Sequence, residues 1–407
     1  MKKTILIVGG GVEAVPGIVL AEEMGLHVVV SDMNPEAPGF SRADDRLLAS
    51  TYDVDATLSE AIRFHNNVRP LDAVMCMASD VPLTVAVIAE KLGLPGIPVD
   101  SARLVTDKLA MKRRFVEAGV PVPWFSPVES FDHLREIAGE QGYPLVLKPV
   151  DSRGSKGVLQ LRDGLNLKEG YELSLSYSPT DHLMVERFLS GQQISTESIV
   201  QDGILYTPGF ADRNYEYIDR YFPYFIENGG ELPSAQPRRI KSMVKTILRR
   251  AAAGLGIDTG VVKGDIVIHE GKPHIIEVAG RLSGGYLCTH DIPFNNGINI
   301  VEGVIRISLG ERVAPEAFKP KFNRILAKRW VFPEPGRVVK VTGEDQAASM
   351  PGIVTVVVHC RPGDIIHPPT DSAASPGFVT ATAENRARAI NRAREAVAKI
   401  VIETESQ

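Results

Sequence analysis

Cysteine is scarce in this 407-residue chain: Cys76, Cys288 and Cys360 are the whole complement, widely spaced and without a C-x-x-C pair. That count supports neither a disulfide framework nor a cysteine-bound zinc, and it suits a reducing, cytoplasmic setting. A cationic excess is missing too. Lys and Arg number 45 against 50 Asp and Glu, a net charge of −5, so the electrostatic footprint of a nucleic-acid binder is lacking and no nucleic-acid partner is expected. Long apolar runs are absent as well: the first one, Ile5 to Val8, stops at three glycines, far short of the ~20 residues that cross a bilayer or of a signal-peptide core. No membrane association or targeting segment is expected. Sequence repeats and low-complexity tracts are lacking. What is present is ordinary for a globular enzyme, 44% hydrophobic and 23% charged residues, in a chain too long for one core.

The chain opens with a continuous apolar run, Ile5-Leu6-Ile7-Val8, then Gly9-Gly10-Gly11, helical spacing from Val15 to Met24 and a second run at Val28-Val29-Val30. This predicts a βαβ unit with a buried parallel sheet. Gly9, Gly11 and Ala14 fit G-x-G-x-x-A, and Asp32 ends the second run, where a dinucleotide-binding fold places its ribose acid. An NAD(P)-dependent oxidoreductase is therefore one reading. A tight strand-to-helix turn is the other. A third strand at Ala73–Met77, ending in Ser79-Asp80, and a helix from Pro82 to Leu92 complete a first domain that ends near residue 100.

Thr106-Asp107-Lys108 opens a helix running to Ala118, with Gly119 as its stop. Lys108 and Lys112 share a face there, and most such lysines only solvate a helix. Tyr143 to Pro149 reads as a strand with Lys148 near its end, a position where an unpaired charge is costly to bury. Asp151-Ser152-Arg153-Gly154-Ser155-Lys156-Gly157 follows, with the composition of a loop whose N–H groups and side chains, Ser155 and Gly157 among them, wrap phosphate oxygens. Next come a strand from His182 to Leu189, with Glu186 and Phe188, and an alternating strand from Gln192 to Val200 that carries Gln193. Glu186 and Gln193 offer side-chain contacts to a base and a ribose.

Gly260 to Ile268 and Ile275 to Ala279 are β-branched runs joined by Glu270-Gly271-Lys272-Pro273, which predicts a hairpin with Asp265 and Glu277 on facing strands. Two close carboxylates repel unless a cation lies between them, and Mg²⁺ takes hard oxygen ligands while sharing itself with phosphates. Arg281 follows, a planar cation suited to clamping an anionic group. An ordinary hairpin with solvated acids is the bland alternative. Between hinge and hairpin, Gly209 to Gly230 is dense in aromatics and charge. It could line an amino-acid site with Glu227 facing an ammonium, or be a plain connection; the Gly284-Gly285 pair lets backbone approach a small ligand.

In their order and spacing, Lys108, the Lys148 strand, the Gly154–Gly157 loop, Val185-Glu186-Arg187-Phe188, Gly191-x-Gln193, Asp265 and Glu277-x-x-x-Arg281 resemble ATP-grasp enzymes, in particular carboxylate–amine ligases of the L-amino acid ligase and carbamoyl-phosphate-synthase-like groups. The likeness extends to the tail, with Gly352 to Val358, Arg361-Pro362-Gly363-Asp364 and a closing helix from Glu384 to Ile400. It implies a mixed α/β and α+β ATP-grasp fold with three regions. These are a Rossmann-like pre-ATP-grasp domain at 1–100, a nucleotide-binding and catalytic region at 101–335 with a lid at about 120–190, and a small α+β domain at 336–407. It further implies ATP as cofactor with Mg²⁺, or Mn²⁺ in its place. Lys108 and Lys148 would hold phosphates, Glu186 the adenine amine and Gln193 the ribose; Asp265 and Glu277 would bind metal, and Arg281 would steady an acyl phosphate. The partners implied are a small acid and a small amine, in a protein compatible with a homodimer. Two positions depart from the family pattern. Ala279 replaces the Asn of E-x-N-x-R, and Gln193 stands where glutamate is common. A nucleotide-binding module without turnover is the second rival, and within the ligase class the acceptor could be a thiol or bicarbonate.

Overall fold

The computed structural model describes residues 2–371 and 375–405. Four sheets form among the described residues, and the three larger ones meet around one cleft. Ile5 to Val8 and Val28 to Val30 do form adjacent parallel strands, Thr4–Val8 and His27–Asp32, and the third strand, Ala73–Met75, flanks them on the other side. A fourth parallel strand, Asp45–Leu48, closes the far edge. Its charged pair Asp45-Arg46 and mixed burial hide it from a hydrophobic-run criterion, because an edge strand needs only partial cover. The helix Pro82–Leu92 has the predicted bounds and ends on Gly93 in the left-handed region, φ 66°.

The Gly9-Gly10-Gly11 turn is filled by the protein itself. Asp32 accepts from the amides of Gly10 and Asn34, both at 2.9 Å, so both its oxygens are occupied by backbone. Gly39 packs onto Gly10 and donates to its carbonyl at 2.7 Å. The turn then enters a short 3₁₀ segment, Val12–Ala14, before the helix Val15–Glu23. These contacts explain the glycines as a packed strand-to-helix turn, with Asp32 as its latch.

The central sheet has eight strands, in the order Lys272–Ala279, Gly260–His269, Gln192–Gln201, Ile204–Arg213, Gly230–Leu232, Leu326–Trp330, Gly377–Ala381 and Ile353–Val358. All its neighbours are antiparallel. Its last two strands come from the tail, which also carries a three-stranded sheet and the helix Arg386–Val397, capped by Asn385. The tail therefore continues the central sheet. Phe125–Val128, Leu183–Arg187, Leu145–Pro149 and Leu159–Leu161 form a separate antiparallel sheet with its own core around Leu134, Leu145, Leu147 and Val185. By contrast the N-terminal sheet shares a core with the central one: Ile5, Ile7 and Val30 belong to the cluster that holds Ile199, Val261, Leu282 and the helix residues Ile300, Val301 and Val304. Met77 bridges Leu282 directly, which fixes the end of the third parallel strand beside the Arg281 loop. No helix among the described residues is long and apolar enough to cross a membrane.

A Cβ on Gly39 would lie 2.9 Å from Gly10 Cα and 3.0 Å from its carbonyl oxygen, contacts with backbone that cannot swing aside. Gly39→Ala should cost about 1–3 kcal/mol of overpacking and lower the Tm in a thermal melt. An unchanged Tm would show that the turn is not held by this contact.

Candidate active site

A cavity of about 580 Å³ opens where the three larger sheets converge, within the size range of small-molecule sites. Its wall takes Glu13 and Asp80 from the N-terminal region, Lys108 from the following helix, Lys148 and Glu186 from the separate antiparallel sheet, and Gln193, Arg213, Asp265 and Glu277 from the central sheet. Of the residues that the family resemblance or the loop composition assigns to nucleotide, metal or substrate, all line this cavity except Gly157. Gly157 is instead a packing position. With φ at +70°, its absent Cβ would meet Tyr177 at 2.9 Å and Pro149 at 3.0 Å, and its carbonyl accepts from Ser174 Oγ. Gly154 and Ser155 remain on the wall.

At one end, Lys108 opens the helix Lys108–Glu117 because Asp107 caps it, accepting from the amides of Leu109 and Ala110. Its ammonium donates to the Ser152 carbonyl at 2.5 Å, tying the helix to the glycine-rich loop, and stands 3.6 Å from Glu277. Lys148, on Leu145–Pro149, bonds Glu186 Oε1 on the neighbouring strand. Here two expectations are corrected. The Glu186 carboxylate is engaged by cations on both oxygens, since Lys112 Nζ lies 2.6 Å from Oε2, so it is not held ready for an adenine amine. Lys112, read as a solvated helix lysine, is fully buried. A charge-bearing helix residue cannot be told from a surface one by spacing alone when its partner lies 74 residues away. Phe188, beside Phe225 at 6.1 Å between ring centroids, and Gln193 complete this end.

The hairpin register pairs Asp265 with Glu277. Burial works to raise Asp265, but Lys263 and Arg213 outweigh it and hold the carboxyl at about 2. Lys263 bonds its Oδ2, and Arg213 Nη1 lies 3.2 Å from Oδ1, which has no aligned hydrogen bond. Glu277 is about one-third exposed. Two hard oxygen donors on one face, one of them the part-buried Asp265 whose Oδ1 has no hydrogen bond, fit Mg²⁺, which commonly takes one or two carboxylates and completes its shell from phosphates and water. Among the described residues no group of three or more His, Cys, Asp or Glu converges, and Ala279 brings no donor.

The opposite end is dense in ion pairs. Arg281 Nε donates to Asp80 at 2.5 Å. Burial opposes its charge, yet Asp80 holds the guanidinium well above its ordinary value. Glu227, read as a candidate to face an ammonium, lies on the cavity wall, where it accepts from Arg213 Nε at 2.9 Å and Nη2 at 2.5 Å. Gly284 and Gly285 do bring backbone to the cleft, where the Gly285 amide donates to Glu13 at 2.9 Å and its carbonyl accepts from Lys328. Lys328 also pairs with Asp291 at 2.6 Å. Sequence reasoning gave no role to Glu13, Asp80, Arg213, Lys328 or Asp291. Of these Asp80, named only as following the third parallel strand, carried a legible signal, since ligands gather at the carboxyl ends of such strands.

Comparison with known proteins bears on this arrangement. Residues 105–285 match an ATP-grasp domain, 19–96 an ATP-grasp N-terminal domain and 329–405 the L-amino acid ligase C-terminal domain 2. A D-alanine–D-alanine ligase of Gloeobacter violaceus is 31% identical over 199 residues, 46% of this chain and 63% of that protein. Dapdiamide A synthase of Enterobacter agglomerans is 24% identical over 274 residues, 63% of this chain and 62% of that one. The chain thus spans a little under two thirds of each of these relatives. In fold it is similar to the L-amino acid ligase of Bacillus licheniformis, at a TM-score of 0.83 and 21% identity over 100% of this chain and 99% of the other.

Behind the Arg281–Gly285 loop, Glu197 is fully buried and accepts from Ser283 through Oγ and, at 3.2 Å, through the amide. Burial pushes its carboxyl up to about 7 against those hydrogen bonds. The folded protein therefore binds an extra proton between the ordinary carboxylate value and about 7, so stability from this group is full at low pH and is lost as pH rises through about 7. Glu197→Gln should flatten that loss, gaining up to a few kcal/mol over wild type at pH 8 and little at pH 4.5. Denaturant melts at the two pH values measure it. An equal effect at both would show that Glu197 does not titrate in this range.

Proposed function

This chain is an ATP-grasp protein with an L-amino acid ligase-type C-terminal domain, and from that premise we propose that it is an ATP- and Mg²⁺-dependent ligase joining a small acid to a small amine. One observation carries the reading. A single cleft gathers Lys108 and Lys148, the facing carboxylates Asp265 and Glu277, and Arg281, each on a different structural element. A carboxylate is a poor electrophile and needs activation as an acyl phosphate before an amine attacks. Phosphoryl transfer asks mainly for positioning and neutralised charge, which is what this inventory of residues offers.

Lys148 and Lys108 are assigned to the phosphates. Phe188 and the backbone after Glu186 border the base, and Gln193 the ribose; Glu186 acts behind Lys148. Asp265 and Glu277 would hold the metal, which when bound neutralises phosphate charge; Lys263, Arg213 and Lys108, which now face those carboxylates, would turn part of their charge to the incoming anion. Arg281, kept charged and oriented by Asp80, is assigned to the acyl phosphate. Its fork is fixed from the N-terminal region, so the substrate end of the cleft is formed jointly by two parts of the chain. The Ser152–Ser155 segment beside Lys108 is assigned to cover the reactive intermediate from water. A dehydrogenase on Gly9, Gly11 and Asp32 has no support in the comparisons or in the turn, whose acid is taken up by backbone amides.

ATP with Mg²⁺ should raise the Tm by mass action while NAD should not; a shift with NAD alone would overturn the reading. Glu277→Gln keeps shape and removes charge, so turnover should fall at least ~100-fold. Screening pairs of amino acids and small organic acids, with mass spectrometry of products, should give ADP and phosphate in step with amide formation. Appearance of AMP, or no stimulation by any pair, removes the ligase assignment. Arg281→Lys keeps charge without the fork and should lower kcat while the Kd for ATP stays within about threefold.

A further inference from the structure

Among the buried cations that the assignments above leave without a task, Lys112 stands beside the Lys148 end of the cleft. Lys112 lies one helical turn beyond Lys108, its side chain 1% exposed, and it does not line the cavity. It reaches the cleft only through Glu186, whose Oε2 it approaches at 2.6 Å while Lys148 bonds Oε1. The approach is an ion pair without aligned hydrogen-bond geometry. A long amphipathic side chain normally carries its charge out to water; this one is turned inward, from a helix onto a strand of the separate antiparallel sheet.

The local charge count gives it a role. Two ammonium groups, Lys112 and Lys148, share one carboxylate, Glu186, and all three are nearly or fully buried. The other charged or titratable groups facing Lys112 are Glu277 and His274, both on the hairpin strand Lys272–Ala279, and Glu277 is itself beside Lys108. The trio is one positive charge in excess, an arrangement unfavourable in an empty cleft and favourable beside a polyanion. Burial pushes the Lys112 ammonium down to about 8; Glu186 opposes the shift and Lys148 adds to it.

We propose that Lys112 is a positioning residue for nucleotide binding: it holds Glu186, Glu186 holds Lys148 against the phosphates, and the arrival of the nucleotide's negative charge draws a proton from solvent onto Lys112. The inference rests on the reading that a nucleotide occupies this cleft. It makes binding at mildly alkaline pH a proton-consuming event, with the buffer as proton source. It also gives a reason for burying a lysine where a methionine of similar volume would fit: the ammonium keeps Glu186 from swinging its second oxygen towards the phosphates. With Lys112 neutral or absent, the excess positive charge is lost and Lys148 alone must balance Glu186, so less of the Lys148 charge is turned to the anion.

Isothermal titration of the full chain with Mg²⁺ and a non-hydrolysable ATP analogue tests it, in two buffers of different ionisation enthalpy. At pH 8 the wild type should take up about half a proton per nucleotide, falling towards zero at pH 6.5 where Lys112 is already charged. Lys112→Met should bind about tenfold or more weakly, the scale of a lost charge-assisted contact, and should lose the uptake. Its Glu186 still has Lys148 as partner, so the fold is expected to survive, which circular dichroism checks. Lys112→Arg keeps a permanent charge; it should bind within about threefold of wild type and also lose the uptake, a split that a purely structural role would not produce. Wild-type affinity in Lys112→Met, or undiminished uptake in either variant, overturns this inference alone. Failure of the wild type to bind the analogue at all overturns the nucleotide reading on which it stands.

Discussion

Glu186, buried between Lys148 and Lys112, is the contact on which the geometry of this cleft depends. A carboxylate removed from water must be matched, and matching it from both sides joins a helix, two strands of one sheet and, through Lys108 and Glu277, the hairpin of another. If either lysine moved away the other would still balance the carboxylate, but one buried Glu186 oxygen would lose its partner, at a cost of about 1–3 kcal/mol. The separate antiparallel sheet keeps an apolar core of its own and is tied to the rest by this charge compensation together with the Leu159–Tyr224 backbone bridge and the Phe188–Phe225 contact.

The N-terminal sheet is attached in the opposite way. It shares an apolar core with the helix Ile300–Ser308 and with Leu282, and its strand ends are bridged to the Arg281 loop by Met77. Asp80 and Glu13 consequently reach the cleft from a rigid base. Arg281 and the Gly285 amide meet partners that do not belong to their own sheet. The Arg281 end of the cleft is thus backed by an apolar interface and the Lys148 end largely by ion pairs.

Across the whole site, ion pairs run between elements far apart in sequence: Arg213 with Glu227 and Asp265, Arg281 with Asp80, Lys328 with Asp291. Each cation limits the freedom of the acid it faces, and an incoming anion competes with that acid for it. This places the electrostatic cost of binding in rearranged pairs and spares newly ordered side chains. Arg213 is the clearest case, since the same guanidinium serves Glu227 and the proposed metal ligand Asp265.

Local chemistry determined a great deal of this from sequence. Apolar runs ended by glycine specified the parallel strands, turn residues specified the hairpin that sets Asp265 opposite Glu277, and Asp107 specified where the Lys108 helix begins. Those features depend on residues within a few positions of one another, and so do the motifs that resemble ATP-grasp enzymes. The edge strand Asp45–Leu48 escaped because one-sided burial leaves no continuous run. Only the tertiary structure decided which charges were spoken for. That Glu186 is enclosed by two lysines, that Glu227 is matched by Arg213, that Gly157 serves packing, and that Asp32 latches its own turn are consequences of long-range approach. A side chain's type states what it can bond; its burial and its partner, set by segments tens or hundreds of residues away, state what it has bonded.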